Sequence, residues 1–283
     1  MAGAGRLSPP ISRPAARPLS LHHLTALDVS PPDLVTLAAA LGCDHVCLFT
    51  QVEPEVRSLF PCVEDEAMVE AVATRLRQTG LTVCDLEYFP VRPGLEMDAY
   101  RPALDRGARL GAGRATAHIH DPDRDRALGA FAALCRVASD CGLAVGLEFT
   151  HFSRVNSLAE ALAFVADAGE PNGDVVLDAL HYFRSGERAT DLAEMDLSRV
   201  GYVQVCDGPA AIAEADRIAE AVGERGVPGE GVFDLATFVA NLPPGPAVAV
   251  EIPQARRMAA GVPPLERARL AVEATRGLLS AGR

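Results

Sequence analysis

AVGLEFT (144–150), DVVLDAL (174–180), GYVQVCD (201–207) and AVAVEIP (247–253) are four apolar runs, each carrying one metal-competent side chain toward its end: Glu148, Asp178, Gln204 and Glu251. A polar side chain that closes such a run is pushed out of the core at a strand's C-terminal end. Parallel barrel strands bring those ends to one face, where substrates bind. A single glutamate after an apolar strand would mark only where the chain emerges into water. Four ends in succession predict one site.

Upstream of these runs the chain alternates β and α patterns. LSLHHLTAL (19–27) reads as the first strand, and Ser30-Pro31-Pro32 as a capped helix start running to Gly42. HVCLFT (45–50) is the second strand, followed by a helix from about Glu64 to Gly80. LTVCDLEYF (81–89) is the third, with an amphipathic helix over Tyr100 to Leu110. ATAHIH (115–120) is the fourth, and Asp121-Pro122 starts a helix that reaches Gly142. The fifth strand precedes a capping box, Ser157-Leu-Ala-Glu160, and a helix ending near Gly169. With VVLDAL, YVQVCD and AVAVEI as strands six to eight, the expectation is an α/β protein with a single (β/α)₈ TIM barrel over residues 19–283. An open doubly wound sheet would carry a Gly-rich turn after its first strand, and none is present. Residues 1–18, rich in Ala, Pro and Arg, are expected to form a flexible N-terminal tail, with an organelle transit segment as the alternative.

The formal charge of −12 argues against a nucleic-acid or anionic-membrane surface, because a phosphate-binding face needs clustered positive charge. No run has the length of a membrane span. The seven cysteines contain no C-x-x-C pair and read as free thiols of a cytoplasmic protein. All 26 basic residues are arginine, which excludes Schiff-base, pyridoxal and P-loop chemistry. The expected partner is a small polyhydroxy molecule, and a homo-oligomer is compatible with the sequence.

Asp178-x-x-His181, the Q-V-C-D turn at 204–207, PGEG at 228–231 and the strand-end glutamates, set on this barrel pattern, resemble the xylose isomerase-like TIM-barrel superfamily, the sugar phosphate isomerase/epimerase family. The resemblance covers nearly the whole chain from about Leu19. It implies a divalent cation held by the four strand ends (Glu148, Asp178, Gln204 and Glu251), with Glu148 and Glu251 as acid and base on opposite faces of a substrate. His181 is implied as a substrate contact. Gln204 stands where many members have histidine, 26 residues after Asp178.

Two carboxylates astride a cation-polarised hydroxycarbonyl compound can take a proton from one face and return it to the other or to the next carbon. That is epimerisation or isomerisation through an enediolate; loss of a hydroxyl instead gives a dehydratase of the inosose or 3-dehydroshikimate type. A third reading is a non-catalytic binding barrel whose metal site has degenerated at Gln204. Endonuclease IV shares the fold but needs a histidine-rich zinc site and a basic DNA face, which this acidic chain lacks. Four oxygen ligands suit Mn²⁺ first and Mg²⁺ second. Around this set, one of His118 and His120 is expected inside the barrel and the other against the helices, with His120, nearer the top, as a substrate contact. His151 and Arg154, in the loop after Glu148, are further substrate-contact candidates. One of His22 and His23 is expected to face inward, and Glu87 is expected in a surface salt bridge, with a polar substrate contact as the alternative. The 207–232 loop reads as a lid or substrate-contacting loop.

Overall fold

The computed structural model describes residues 17–281. Nine strands form one parallel sheet: β1 (Leu19–His22), β2 (His45–Phe49), β3 (Thr82–Glu87), β4 (Phe89–Val91), β5 (Arg114–Ile119), β6 (Ala144–Glu148), β7 (Gly173–Asp178), β8 (Val200–Val205) and β9 (Val248–Val250). Only Tyr88 separates β3 from β4. With β3 on β2 and β4 on β5, these two are halves of one barrel stave, so eight staves close the ring in the order β3-β2-β1-β9-β8-β7-β6-β5-β4. The helices are α1 (Pro31–Ala40), α2 (Glu66–Thr79), α3 (Arg101–Arg109), α4 (Arg124–Asp140), α5 (Leu158–Ala168), α6 (Ala179–Arg184), α7 (Arg217–Gly223), α8 (Leu235–Ala240), α9 (Ala255–Ala259) and α10 (Pro264–Ala281). The main apolar core lies between helices and sheet in one continuous cluster that includes Leu34, Val72 and the edge-on pair Phe131 and Phe164. No described helix is long and apolar enough to cross a membrane.

Local chemistry moves several expected boundaries. The first strand stops at His22, where its ring accepts the Leu24 N–H and starts a short 3₁₀ turn over His23–Ala26. Asp123, not Asp121, caps α4 by accepting the Arg126 N–H, while Asp121 is held by the Arg126 guanidinium. Ser157 caps α5, but Glu160 reaches the Asn156 N–H, so the box is not reciprocal. Residues 1–16 of the expected tail lie outside the described residues. Arg17 and Pro18 do not behave as tail: the Arg17 guanidinium donates to Pro243 and Leu242 carbonyls at 2.8 and 3.1 Å, and the Pro18 carbonyl accepts from Val248.

The barrel interior is layered. Its lower part holds a buried ion cluster in which Arg114 pairs with Asp174 and approaches Asp85 at 3.5 Å, while Thr116 donates to Asp85 at 3.0 Å. Burial drives the Asp85 carboxyl up to about 7 against the opposing pull of Arg114. Gly201, the extra residue where the β7/β8 register shifts, leaves the space that the Asp174 carboxylate fills. Above this plug stand the ends of the staves. Their register sets Asp178 beside Gln204 and Gln204 beside Ala249, so the polar closers of β6, β7 and β8 and Glu251 after β9 meet at one mouth.

Candidate metal and acid–base site

Glu148, Asp178, Gln204 and Glu251 all point into the barrel mouth and are at most 4% exposed. Glu148 Oε2 lies 2.5 Å from His118 Nε2, in a contact too poorly aligned to satisfy the imidazole as a hydrogen bond. Asp178 caps α6, its Oδ1 accepting the His181 N–H at 3.1 Å, while its Oδ2 accepts from Arg225 Nη1 at 2.7 Å. Arg225 Nη2 reaches Glu251 Oε1, also at 2.7 Å. On these four strand-end residues, four buried polar atoms have no hydrogen-bond partner: Glu148 Oε1, Glu251 Oε2 and both amide atoms of Gln204. Buried acceptors without partners are costly and uncommon, so three such oxygens around one mouth mark a place built for a cation or a polar ligand.

Burial sets the protonation of the group. It raises Glu148 to about 8, with Asp178 adding to the rise and Arg225 opposing it. Burial likewise holds Glu251 well above the ordinary carboxyl range despite Arg225. Asp178 is the exception: burial pushes it up, but the Arg225 charge and the His181 contacts prevail and leave it lowered. A bound divalent cation would favour the ionised form of every carboxyl it touches.

Histidines surround these acids. His181 Nδ1 is 3.0 Å from His151 Nδ1, so one ring donates to the other, and Phe152 packs edge-on against both. Glu148, Asp178 and His181 bring ligand-type atoms within 4.8 Å of one another. His118 and His120 stand on the same side of β5, with rings 6.0 Å apart, which corrects the expected opposition: residues two apart on a strand share a face. His118 is the deeper of the two and the one against Glu148. Arg154 is brought elsewhere. It is exposed and lines an outer cavity with Asp121, Arg124 and Glu160 between α4 and α5.

Glu87 is not in a surface salt bridge. It is buried, and its Oε1 sits 3.2 Å from His22 Nε2, which is also 3.9 Å from Glu251 Oε2. His22, Cys47 and Glu87 form a second compact group of ligand-type atoms. Because His22 Nδ1 accepts the Leu24 N–H at 3.1 Å, the neutral ring carries its proton on Nε2 and donates it to Glu87 instead of ligating a cation. His23 turns away to the Val29 carbonyl.

Arg225 is the residue that sequence reading missed. It lies in the 207–232 insertion, and its Nε is spent on the Ala221 carbonyl. Asp207 organises the return of this insertion. Its carboxylate accepts the N–H groups of Gly208, Gly229 and Phe233 at 2.8, 2.9 and 3.1 Å, and its backbone pairs with Gly226 in both directions. The visible signal was the acid that closes G-Y-V-Q-V-C-D, Asp207, together with PGEG, but nothing in the spacing of an insertion tells which arginine folds inward. Gly231 completes the turn: a Cβ there would lie 2.3 Å from the Gly208 carbonyl oxygen and 2.2 Å from Asp207 Oδ1. Gly231→Ala is therefore expected to destabilise the protein by ~1–3 kcal/mol through overpacking against rigid backbone. Thermal unfolding checks this, and an unchanged midpoint would contradict the packing described.

Residues 35–278 match the sequence profile of the xylose isomerase-like TIM barrel family. No curated protein matches the sequence. Among solved structures, the chain is similar to a xylose isomerase-like TIM barrel/4-hydroxyphenylpyruvate dioxygenase fusion protein (20% identity, TM-score 0.75), covering 92% of this chain and 42% of that one. An IOLI protein with a bound zinc atom shares 17% identity and TM-score 0.75, covering 93% of this chain and 98% of that one. A D-allulose 3-epimerase from Methylomonas sp. shares 17% identity and TM-score 0.65, covering 93% and 99%. At these identities the solved structures speak for the fold.

Proposed function

The chain belongs to the xylose isomerase-like TIM barrel family, and from that premise we propose that it is a divalent-metal-dependent isomerase or epimerase of a sugar or related polyhydroxy carbonyl compound. The observation that carries the reading is the set of partnerless buried oxygens of Glu148, Gln204 and Glu251 beside Asp178. These residues fit a divalent cation, with Glu148, Asp178, Gln204 and Glu251 to hold it and Mn²⁺ as the first choice for an all-oxygen shell. Such a cation supplies electrophilic polarisation of a carbonyl oxygen.

The chain's own residues do the rest. Glu148 and Glu251 exchange protons with carbon on the two faces of the substrate, passing through an enediolate. His181, fixed by His151 and by the cap on Asp178, holds a substrate oxygen. His118, against Glu148, and the half-buried His120 line the same side of the mouth. The D-allulose 3-epimerase in the structural comparison is a sugar epimerase by name on this fold.

One observation favours a dehydratase as the second reading. Glu87 is a further carboxyl group at the mouth, and burial first, then Asp85 and its other acidic neighbours, holds it well above the ordinary range. A carboxylic acid that stays protonated can donate to a departing hydroxyl. The test is incubation of metal-loaded protein with a panel of ketohexoses and 3-dehydroshikimate in D₂O, read by NMR and mass spectrometry. Deuterium next to the carbonyl of an isomeric product is expected. Loss of water without an isomeric product would replace the isomerase by the lyase.

Gln204→His exchanges an amide oxygen for a borderline nitrogen ligand, so affinity for Zn²⁺ or Co²⁺ is expected to rise more than affinity for Mg²⁺. Competition dialysis measures it; an unmoved preference would remove Gln204 from the ligand set.

A further inference from the structure

We propose that Arg225 is a resident cation that a divalent metal displaces from Asp178 and Glu251 into a cavity on the outer side of the barrel mouth. The proposal rests on the metal reading above. Its geometry is specific. The guanidinium is 2% exposed and bridges Asp178 Oδ2 and Glu251 Oε1, two of the four groups proposed to hold the metal. Asp178 Oδ1 is engaged by the His181 N–H, so of the oxygens on these two carboxylates only Glu251 Oε2 has no partner. A metal drawn to the unpaired oxygens of Glu148, Gln204 and Glu251 would face a fixed positive charge at close range in surroundings that screen it poorly.

A destination for the side chain exists. Arg225 forms part of the wall of a cavity of about 760 Å³ between the 207–232 insertion and α9, and that cavity is also lined by Asp216, Glu220, Glu224 and Glu230. Of these, Glu220 is already paired with Arg184, Glu230 with Arg257, and Glu224 with Arg256 at 3.9 Å. Asp216, whose side chain appears in no ion pair among the described residues, would receive a guanidinium swung outward. The backbone of Arg225 need not move for this, since its N–H stays on the Pro253 carbonyl. The cost of the exchange is the loss of the two carboxylate contacts, which the metal replaces at the same carboxylates, and of the Nε bond to the Ala221 carbonyl.

Calorimetric titration of the metal-free protein with Mn²⁺, and separately with Zn²⁺, tests the exchange without any substrate. Arg225→Met is expected to bind at least tenfold more tightly than wild type, and Arg225→Lys, which keeps the charge, to stay close to wild type. Equal or weaker binding by a cooperatively folded Arg225→Met protein would overturn the proposal. Should that variant not fold, the wild type serves: labelling of Arg225 by phenylglyoxal, followed by peptide mass spectrometry, is expected to quicken when metal is added. Unchanged or slower labelling would overturn it equally. If neither wild type nor variant binds a divalent ion, the metal reading itself falls; binding that ignores the charge at position 225 removes only this inference.

Discussion

Replacing Glu148 or Glu251 by glutamine is expected to lower turnover by ~10²–10⁴, the range for a lost general acid or base. Glutamine keeps an oxygen where the carboxylate stood but cannot carry a proton at working pH. Metal content should therefore stay close to that of the wild type, which separates proton transfer from ligation. The informative measurement is solvent exchange. In D₂O the wild type is expected to place deuterium on the carbon next to the carbonyl, and each glutamine variant to lose the exchange on the face its carboxylate serves. A variant that binds metal and retains full exchange would show that its glutamate is not the base. The two residues need not behave alike. In the metal-free protein Glu251 is tied to Arg225 through one oxygen and Glu148 abuts His118, so their proton affinities start from different neighbours.

Asp178→Ala is expected to abolish metal binding, from about one ion per chain to none, and also to destabilise the metal-free protein. Both effects come from the same side chain. Asp178 caps α6, neutralises half of Arg225 and stands at the centre of the proposed ligands. Its removal leaves the buried guanidinium with Glu251 alone, and breaking a buried pair from one side costs ~3–5 kcal/mol where no other partner remains. The retained Glu251 contact places the expected loss at the lower end. The pH dependence follows from the lowered carboxyl of Asp178, for which burial is outweighed by Arg225 and His181. A carboxyl held below its unfolded value stabilises the fold above the ordinary pKa of about 3.9 and loses that contribution as pH falls through the folded value. The stability gap between wild type and variant should thus be widest near neutrality and close in acid. Elemental analysis and chemical denaturation at several pH values measure the two effects, and full metal occupancy in the variant would end the assignment.

The apolar runs and their closers were enough to determine the stave count, the parallel order and the meeting of Glu148, Asp178, Gln204 and Glu251 at one mouth. The reason is local: a strand's length, its β-branched content and the polar residue that ends it act on neighbours in the chain. Helix starts were legible wherever a single cap decided them, as at Ser30 and Ser157. The rest depended on distance in space. His118 faces Glu148 because β5 and β6 are adjacent staves, and the pairing of His22 with Glu87 joins side chains 65 residues apart. Arg154 reads as a substrate contact from its place near Glu148, yet the loop turns it outward. Arg225 enters the site because Asp207, Gly226 and Gly231 fold the insertion back across the mouth. That choice among 26 arginines is made by backbone approach and buried charge pairing, which tertiary packing decides and no run of residues encodes by itself.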